Sequence, residues 1–180
     1  MGLTGNGQVS DIYLRNAALF DELDILASGS LDRVESAAKA AASGVPLVAD
    51  SAEILRIPDI RAILNLTIPA ARADVSLGGL GHGKHVYSEK PFIADLEDGL
   101  HTMSLAAQKG LPVGNVPDIF FGGRWQALRR ALDKGMLGEP TGVAASSRLT
   151  GSSGTIPTPI FTKPTAVDRC SIWAATTLLL

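Results

Sequence analysis

Short apolar runs alternate along this chain with longer stretches in which apolar residues recur at helical spacing, the pattern of repeated strand–helix units. Met1 to Thr4 reads as a first strand, Ser10 to Phe20 as a helix and Leu23 to Ser28 as a second strand. Leu31 to Ser43 is an alanine-rich helix ended by Gly44, and Ser51 to Leu55 a short one. Ile60 to Leu66 should form the central strand, Ala70 to Gly81 a crossover helix, and His85 to Ser88 a short buried strand. Asp95 to Lys109 is a long helix closed by Gly110, and Leu111 to Val116 a last strand. Crossover helices between successive strands imply an α/β fold with a doubly wound parallel sheet.

The pattern changes at Pro117. Arg124 to Lys134 predicts an amphipathic helix, Gly135 to Pro140 a glycine-punctuated turn, and Thr141 to Arg148 a new strand. We therefore expect a Rossmann-type domain over 1–117 and the start of an incomplete α+β domain over 118–148. Residues 149–180 fit neither period.

Composition narrows the choices. A chain of 180 residues that is 46% hydrophobic can bury a full core, and a mean hydropathy of +0.20 argues against disorder. A net charge of −2 without basic runs gives nucleic acid no electrostatic footprint. Cys170 is the single cysteine, which excludes an intrachain disulfide framework and fits a reducing cytoplasm. His82, His85 and His101 lack metal-ligand spacing, so no metal site is expected. The apolar run Ser171 to Leu180 is about half the ~20 residues needed to cross a bilayer.

Two segments carry candidate chemistry. Gly5-Asn6-Gly7-Gln8-Val9-Ser10 follows the first strand and opens a helix. There Gly5 permits a tight turn and Gly7 a close backbone approach, while free N–H groups at the helix start favour a pyrophosphate. Serine replaces the third glycine of the dinucleotide fingerprint. At the end of the second strand, where a carboxylate would hold the ribose hydroxyls of NAD, stands Ser30, with Arg33 close by. That pair suits a 2′-phosphate and favours NADP, whereas Asp32 would serve NAD if the register were two residues off. The second segment, Gly83-Lys84-His85-Val86-Tyr87-Ser88-Glu89-Lys90-Pro91, delivers Glu-Lys-Pro to the sheet edge where such folds bind ligands.

In order and spacing the glycine turn, Asn65-Leu66-Thr67-Ile68-Pro69, the Gly83–Pro91 block and Lys134-Gly135-Met136-Leu137-Gly138-Glu139-Pro140 resemble the Gfo/Idh/MocA family of NAD(P)-dependent oxidoreductases over roughly residues 1–148. The resemblance implies that Thr67 and Pro69 line the nicotinamide-side wall and that Glu89, Lys90 and Pro91 sit beside the ring. Lys90 would contact the substrate hydroxyl or carbonyl, where an ammonium stabilises a developing alkoxide and assists proton transfer. The implied substrate is a sugar, cyclitol or related polyol, with a homo-oligomer left open for a full-length chain. Two departures stand out. Arg72 replaces a histidine frequent in relatives, and the first strand starts abruptly at Met1, which suggests a late start or a few missing residues.

The tail has the character of an out-of-frame translation. Residues 165–178 permit codons that, read two bases on, encode Gly-Gly-Arg-Ser-Leu-Phe-Asp-Met-Gly-Arg-Tyr-Tyr-Leu, similar to the family's Gly-Gly-Gly-Pro-Leu-Phe-Asp-Met-Gly-Pro-Tyr-Tyr segment. A frameshift between about Arg148 and Ile156 is the expectation. The 180-residue product would then keep the cofactor half of a site and lose most of its substrate half. A non-catalytic nucleotide-binding fragment is the alternative to an active enzyme.

Overall fold

A computed structural model describes residues 1–116, 121–139 and 142. The chain divides after Val116. In the first unit, β1 (Gly2–Thr4), β2 (Ala27–Gly29), β3 (Leu47–Val48), β4 (Ala62–Asn65), β5 (His85–Ser88) and β6 (Val113–Asn115) form one sheet in the order β3-β2-β1-β4-β5-β6. Every pairing is parallel, so each strand needs a crossover. These are α1 (Ser10–Ala17), α2 (Arg33–Ser43), α3 (Ser51–Arg56), α4 (Pro69–Gly81) and α5 (Leu96–Lys109). The strand order reverses between β1 and β4, and the crevice beyond that point is where α/β sheets bind ligands.

Alternation within β4 divides the core. Ile63 packs with Ala27, Ile54, Leu55 and Ile60 on the α3 side, while Leu64 faces Leu3, Leu14, Ala40 and Val45 beneath α1 and α2. Farther along the sheet, Leu80 of α4 and Ala106 of α5 cover Val86. Full burial of one such aliphatic side chain contributes about 1.5–3 kcal/mol, so these clusters fix the register of the strands.

Local signals set most helix ends. Asp32 caps α2 through Val34 and Glu35 N–H, Asp50 and Glu53 form a capping box on α3, and Asp95 caps α5. Gly44 and Gly110 end α2 and α5 in the left-handed conformation. The structure also moves several expected boundaries. α1 stops at Ala17 rather than Phe20, because the Leu19 and Phe20 N–H groups turn back to the Asn16 and Ala17 carbonyls. The second strand lies at Ala27–Gly29, where β1 offers partners, and not at Leu23 to Ser28. β3 escapes detection because two residues cannot display alternation. β5 has the expected bounds but is half buried, with Val86 and Ser88 inward and His85 and Tyr87 exposed.

In the second unit the described helix is α6 (Gly123–Asp133), one residue from the expected bounds, with an Arg129–Asp133 ion pair across one turn. The strand expected over 141–148 falls, apart from Gly142, outside the described residues, as does the whole tail from 149. No helix among the described residues is long and apolar enough to cross a membrane.

Candidate functional site

The loop after β1 is held from both sides. Gly5 N–H donates to the Gly29 carbonyl at 2.8 Å, and the Leu66 N–H donates to Thr4 at 2.8 Å. Gly5 has φ +95°, and a Cβ there would lie 2.6–2.7 Å from backbone atoms of Leu66 and Thr67. Only glycine meets both demands. At Gly7, by contrast, a Cβ would find nothing within 4 Å. Its carbonyl is tied down instead, accepting from Ser10 Oγ at 2.6 Å and Lys39 Nζ at 2.9 Å. Lys39 in turn pairs with Asp11 and Glu35.

Two features of this loop fit a dinucleotide. Asn6 is 2% exposed, yet neither its amide nitrogen nor its amide oxygen has a hydrogen-bond partner. A buried amide left unpaired costs about 1–3 kcal/mol, which a bound polar group would relieve. α1 also takes no side-chain cap from Val9, the residue before it; the Ser10 N–H turns back to the Gly7 carbonyl at 3.1 Å, and the N–H groups that follow face the end of the helix that favours an anion. Gln8 and Val9 are exposed beside them.

The exits of β4 and β5 form the other wall. Asn65, fully buried at the end of β4, donates from Nδ2 to the Arg72 carbonyl and Ser76 Oγ and accepts at Oδ1 from Thr67 N–H and Oγ1. That side chain locks Thr67 to α4, and Pro69 occupies the first helical position. Just past β5, Glu89 N–H donates to the Asn65 carbonyl at 3.0 Å, and Asn115 Nδ2 donates to the carbonyls of Ser88 and Glu89. The Glu89 carboxylate accepts from the Tyr13 hydroxyl at 2.9 Å and from the Lys90 N–H at 2.8 Å. Lys90 is half-buried and precedes a cis peptide to Pro91. Gly5 to Val9, Thr67, Pro69, Glu89, Lys90 and Pro91 thus gather at one sheet edge.

Ser30 and Arg33 lie at the same edge, beyond β2. Ser30 Oγ engages Ser36 Oγ and the backbone of Asp32. Arg33 is exposed and pairs with Glu53, with Asp50 at 4.0 Å. Asp32 directs a carboxylate oxygen into the first turn of α2. Tyr13, Asn65, Arg72 and Asn115 were not singled out from sequence as site residues. Of these, Asn65 left a readable signal: an amide ending the buried apolar run Ala62-Ile63-Leu64 requires partners.

Arg72 is the second orphaned group of this edge. It is 4% exposed and donates from Nη2 to the Thr67 carbonyl at 2.6 Å and from Nη1 to the Pro91 carbonyl, while its buried Nε has no partner. Burial lowers its pKa from the usual arginine value, and the Glu89 carboxylate opposes that shift. Among the described residues no group of three or more histidine, cysteine, aspartate or glutamate side chains could hold a metal ion.

Comparison with known proteins agrees with this architecture. Residues 1–115 match the family described as an oxidoreductase family with an NAD-binding Rossmann fold, Gfo/Idh/MocA. The 1,5-anhydro-D-fructose reductase of Ensifer adhaerens is 25% identical over 140 residues, 77% of this chain and 42% of that protein. The structure of scyllo-inositol dehydrogenase from Lactobacillus casei with NAD(H) and scyllo-inositol superposes with a TM-score of 0.72 at 26% identity, over 77% of this chain and 42% of that one. A 3-ketoreductase from Actinomadura kijaniata in complex with TDP-benzene and NADP shares the fold, with a TM-score of 0.70 at 20% identity, over 77% of this chain and 43% of that one. The chain therefore spans less than half the length of the relatives it matches.

Proposed function

Because this chain belongs to the Gfo/Idh/MocA oxidoreductases, we propose that Met1–Val116 is the cofactor-binding half of an NAD(P)-dependent enzyme acting on a sugar, cyclitol or related polyol. The observation that carries this reading is an unpaired buried Asn6 at the switch point of the sheet, on the same edge as the strand end that bears Lys90. Gly5 to Val9 and the start of α1 would hold the pyrophosphate, with Thr67, Pro69 and Glu89 to Pro91 flanking the nicotinamide. When bound, the nicotinamide exchanges a hydride, two electrons with one proton, with the carbinol carbon of the substrate. Lys90 would hold the hydroxyl whose proton leaves as the carbonyl forms, returning it in the reverse direction.

We assign NADP as the preferred cofactor. Ser30 puts no charge where a 2′-phosphate would lie, and the Asp32 carboxylate is engaged in capping α2. Arg33 would exchange exposed ion pairs, worth about 0–1 kcal/mol, for a phosphate. The substrate class rests on the reductase and dehydrogenase named above. Because the chain spans 42% of those proteins, the 180-residue form is expected to bind dinucleotide without turnover. Calorimetric titration of the chain with NADPH and NADH tests this. NADPH should bind the more tightly, with the difference falling about tenfold in Arg33→Ala. Equal heats for both cofactors would remove the NADP assignment, binding of neither would remove the site, and steady dehydrogenase activity would overturn the fragment reading.

A further inference from the structure

Arg72 lies where the exits of β4 and β5, which together form one wall of the site, are tied to each other. Its guanidinium donates to Thr67, just past β4, and to Pro91, just past β5, while the neighbouring Glu89 is fixed by the Tyr13 hydroxyl and the Lys90 N–H. The two segments carrying the ring-facing residues are thus held at one separation by a planar fork whose geometry lysine cannot reproduce. The glycine loop after β1, which would hold the pyrophosphate, takes its hydrogen bonds from Ser10, Lys39 and Gly29 and none from Arg72.

We propose that Arg72 is a positioning residue for the nicotinamide end alone, setting the gap between Thr67 and Pro91 into which the ring fits and thereby the placement of Lys90. This rests on the dinucleotide site proposed above. The role acts through other residues, since Arg72 is buried beneath the carbonyls it holds. Removing it should leave recognition of the adenosine and pyrophosphate portion intact.

The test compares NADPH with 2′-phospho-ADP-ribose, which lacks the nicotinamide, by calorimetry on the 180-residue chain and its variants. The unaltered chain should bind NADPH more tightly than the fragment ligand. In Arg72→Met, affinity for NADPH should fall about tenfold to that of the fragment ligand, whose own affinity stays within twofold, and Arg72→Lys should recover only part of the loss. Tyr13→Phe releases Glu89 without removing a buried cation, and should weaken NADPH by two- to threefold with no effect on the fragment ligand. It keeps the question open to experiment should Arg72→Met fail to fold. Equal weakening of both ligands, or of neither, would overturn the positioning role. Binding of neither ligand by the unaltered chain would instead overturn the dinucleotide site and the proposal with it.

Discussion

Two buried cations sit at opposite ends of the central strands, and they are engaged differently. Lys84, at the entry to β5, is 4% exposed and donates its ammonium to the Ile57 and Ile60 carbonyls at 2.7 and 2.5 Å. Arg72, beyond the exit of β4, also holds two carbonyls but keeps an unpaired Nε and feels the Glu89 carboxylate. Among the described residues, the buried side-chain atoms without partners belong to Asn6, Ser28 and Arg72. None lies at the Lys84 end. Apart from Ser28 in the middle of β2, polar demand is met where the sheet begins and left partly unmet, at Asn6 and Arg72, where it ends, which separates a structural end from the one proposed to bind the dinucleotide.

The contrast can be broken at either end. The largest effect is expected from Gly5→Ala, which puts a side chain at φ +95° and within 2.7 Å of the Leu66 and Thr67 backbone. It should cost roughly 3 kcal/mol or more in urea unfolding, and a loss under about 1 kcal/mol would mean that the ligand end is not rigidly built.

An intermediate effect is expected at the structural end. Lys84→Met takes the ammonium from the Ile60 carbonyl and leaves the Ile57 carbonyl only the Ile60 N–H at 3.3 Å, for about 1–3 kcal/mol, and should leave dinucleotide affinity unchanged. Its pH dependence has a definite sign. Burial lowers the Lys84 pKa in the folded protein, so the desolvation penalty on its charge is present below the folded value and relieved as pH rises toward the unfolded one. The stability gap between unaltered chain and variant should therefore widen from neutral into alkaline pH. Unfolding midpoints in a buffer series measure it, and a gap that narrows would contradict the assignment.

The smallest stability effect should come from Gly7→Ala, where the added methyl group meets no atom within 4 Å. Unfolding should shift by no more than about 0.5 kcal/mol. NADPH affinity should nonetheless fall severalfold, because the methyl would occupy the proposed approach of the pyrophosphate. Unchanged affinity would place the phosphates elsewhere and erase the distinction between the two ends.

Strand and helix order was readable because periodicity and caps are local: β5 has its expected bounds, and Gly44 and Gly110 stop the helices they follow. The family and the doubly wound sheet were likewise legible, carried by the glycine turn and the Gly83–Pro91 block. The polar wiring of the site was not. Tyr13 meets Glu89 across 76 positions, and Arg72 meets Pro91 across 19. Such pairings follow from how α1 and α4 lie on the sheet, which no local pattern encodes. Arg72 illustrates the limit: in sequence it is only a missing histidine, and in the fold it joins the exits of two strands.

The strand order also dictates an order of assembly. Leu3 lies beside Ser28 on one flank and Leu64 on the other. A growing chain can supply the first neighbour long before the second. Until β4 emerges from the ribosome, the edge of β1 that will become the middle of the sheet stays open to any extended segment it meets. Pairing β1 with β4 must then close the longer loop, an entropic step that makes the central seam of this sheet a late and slow event in folding.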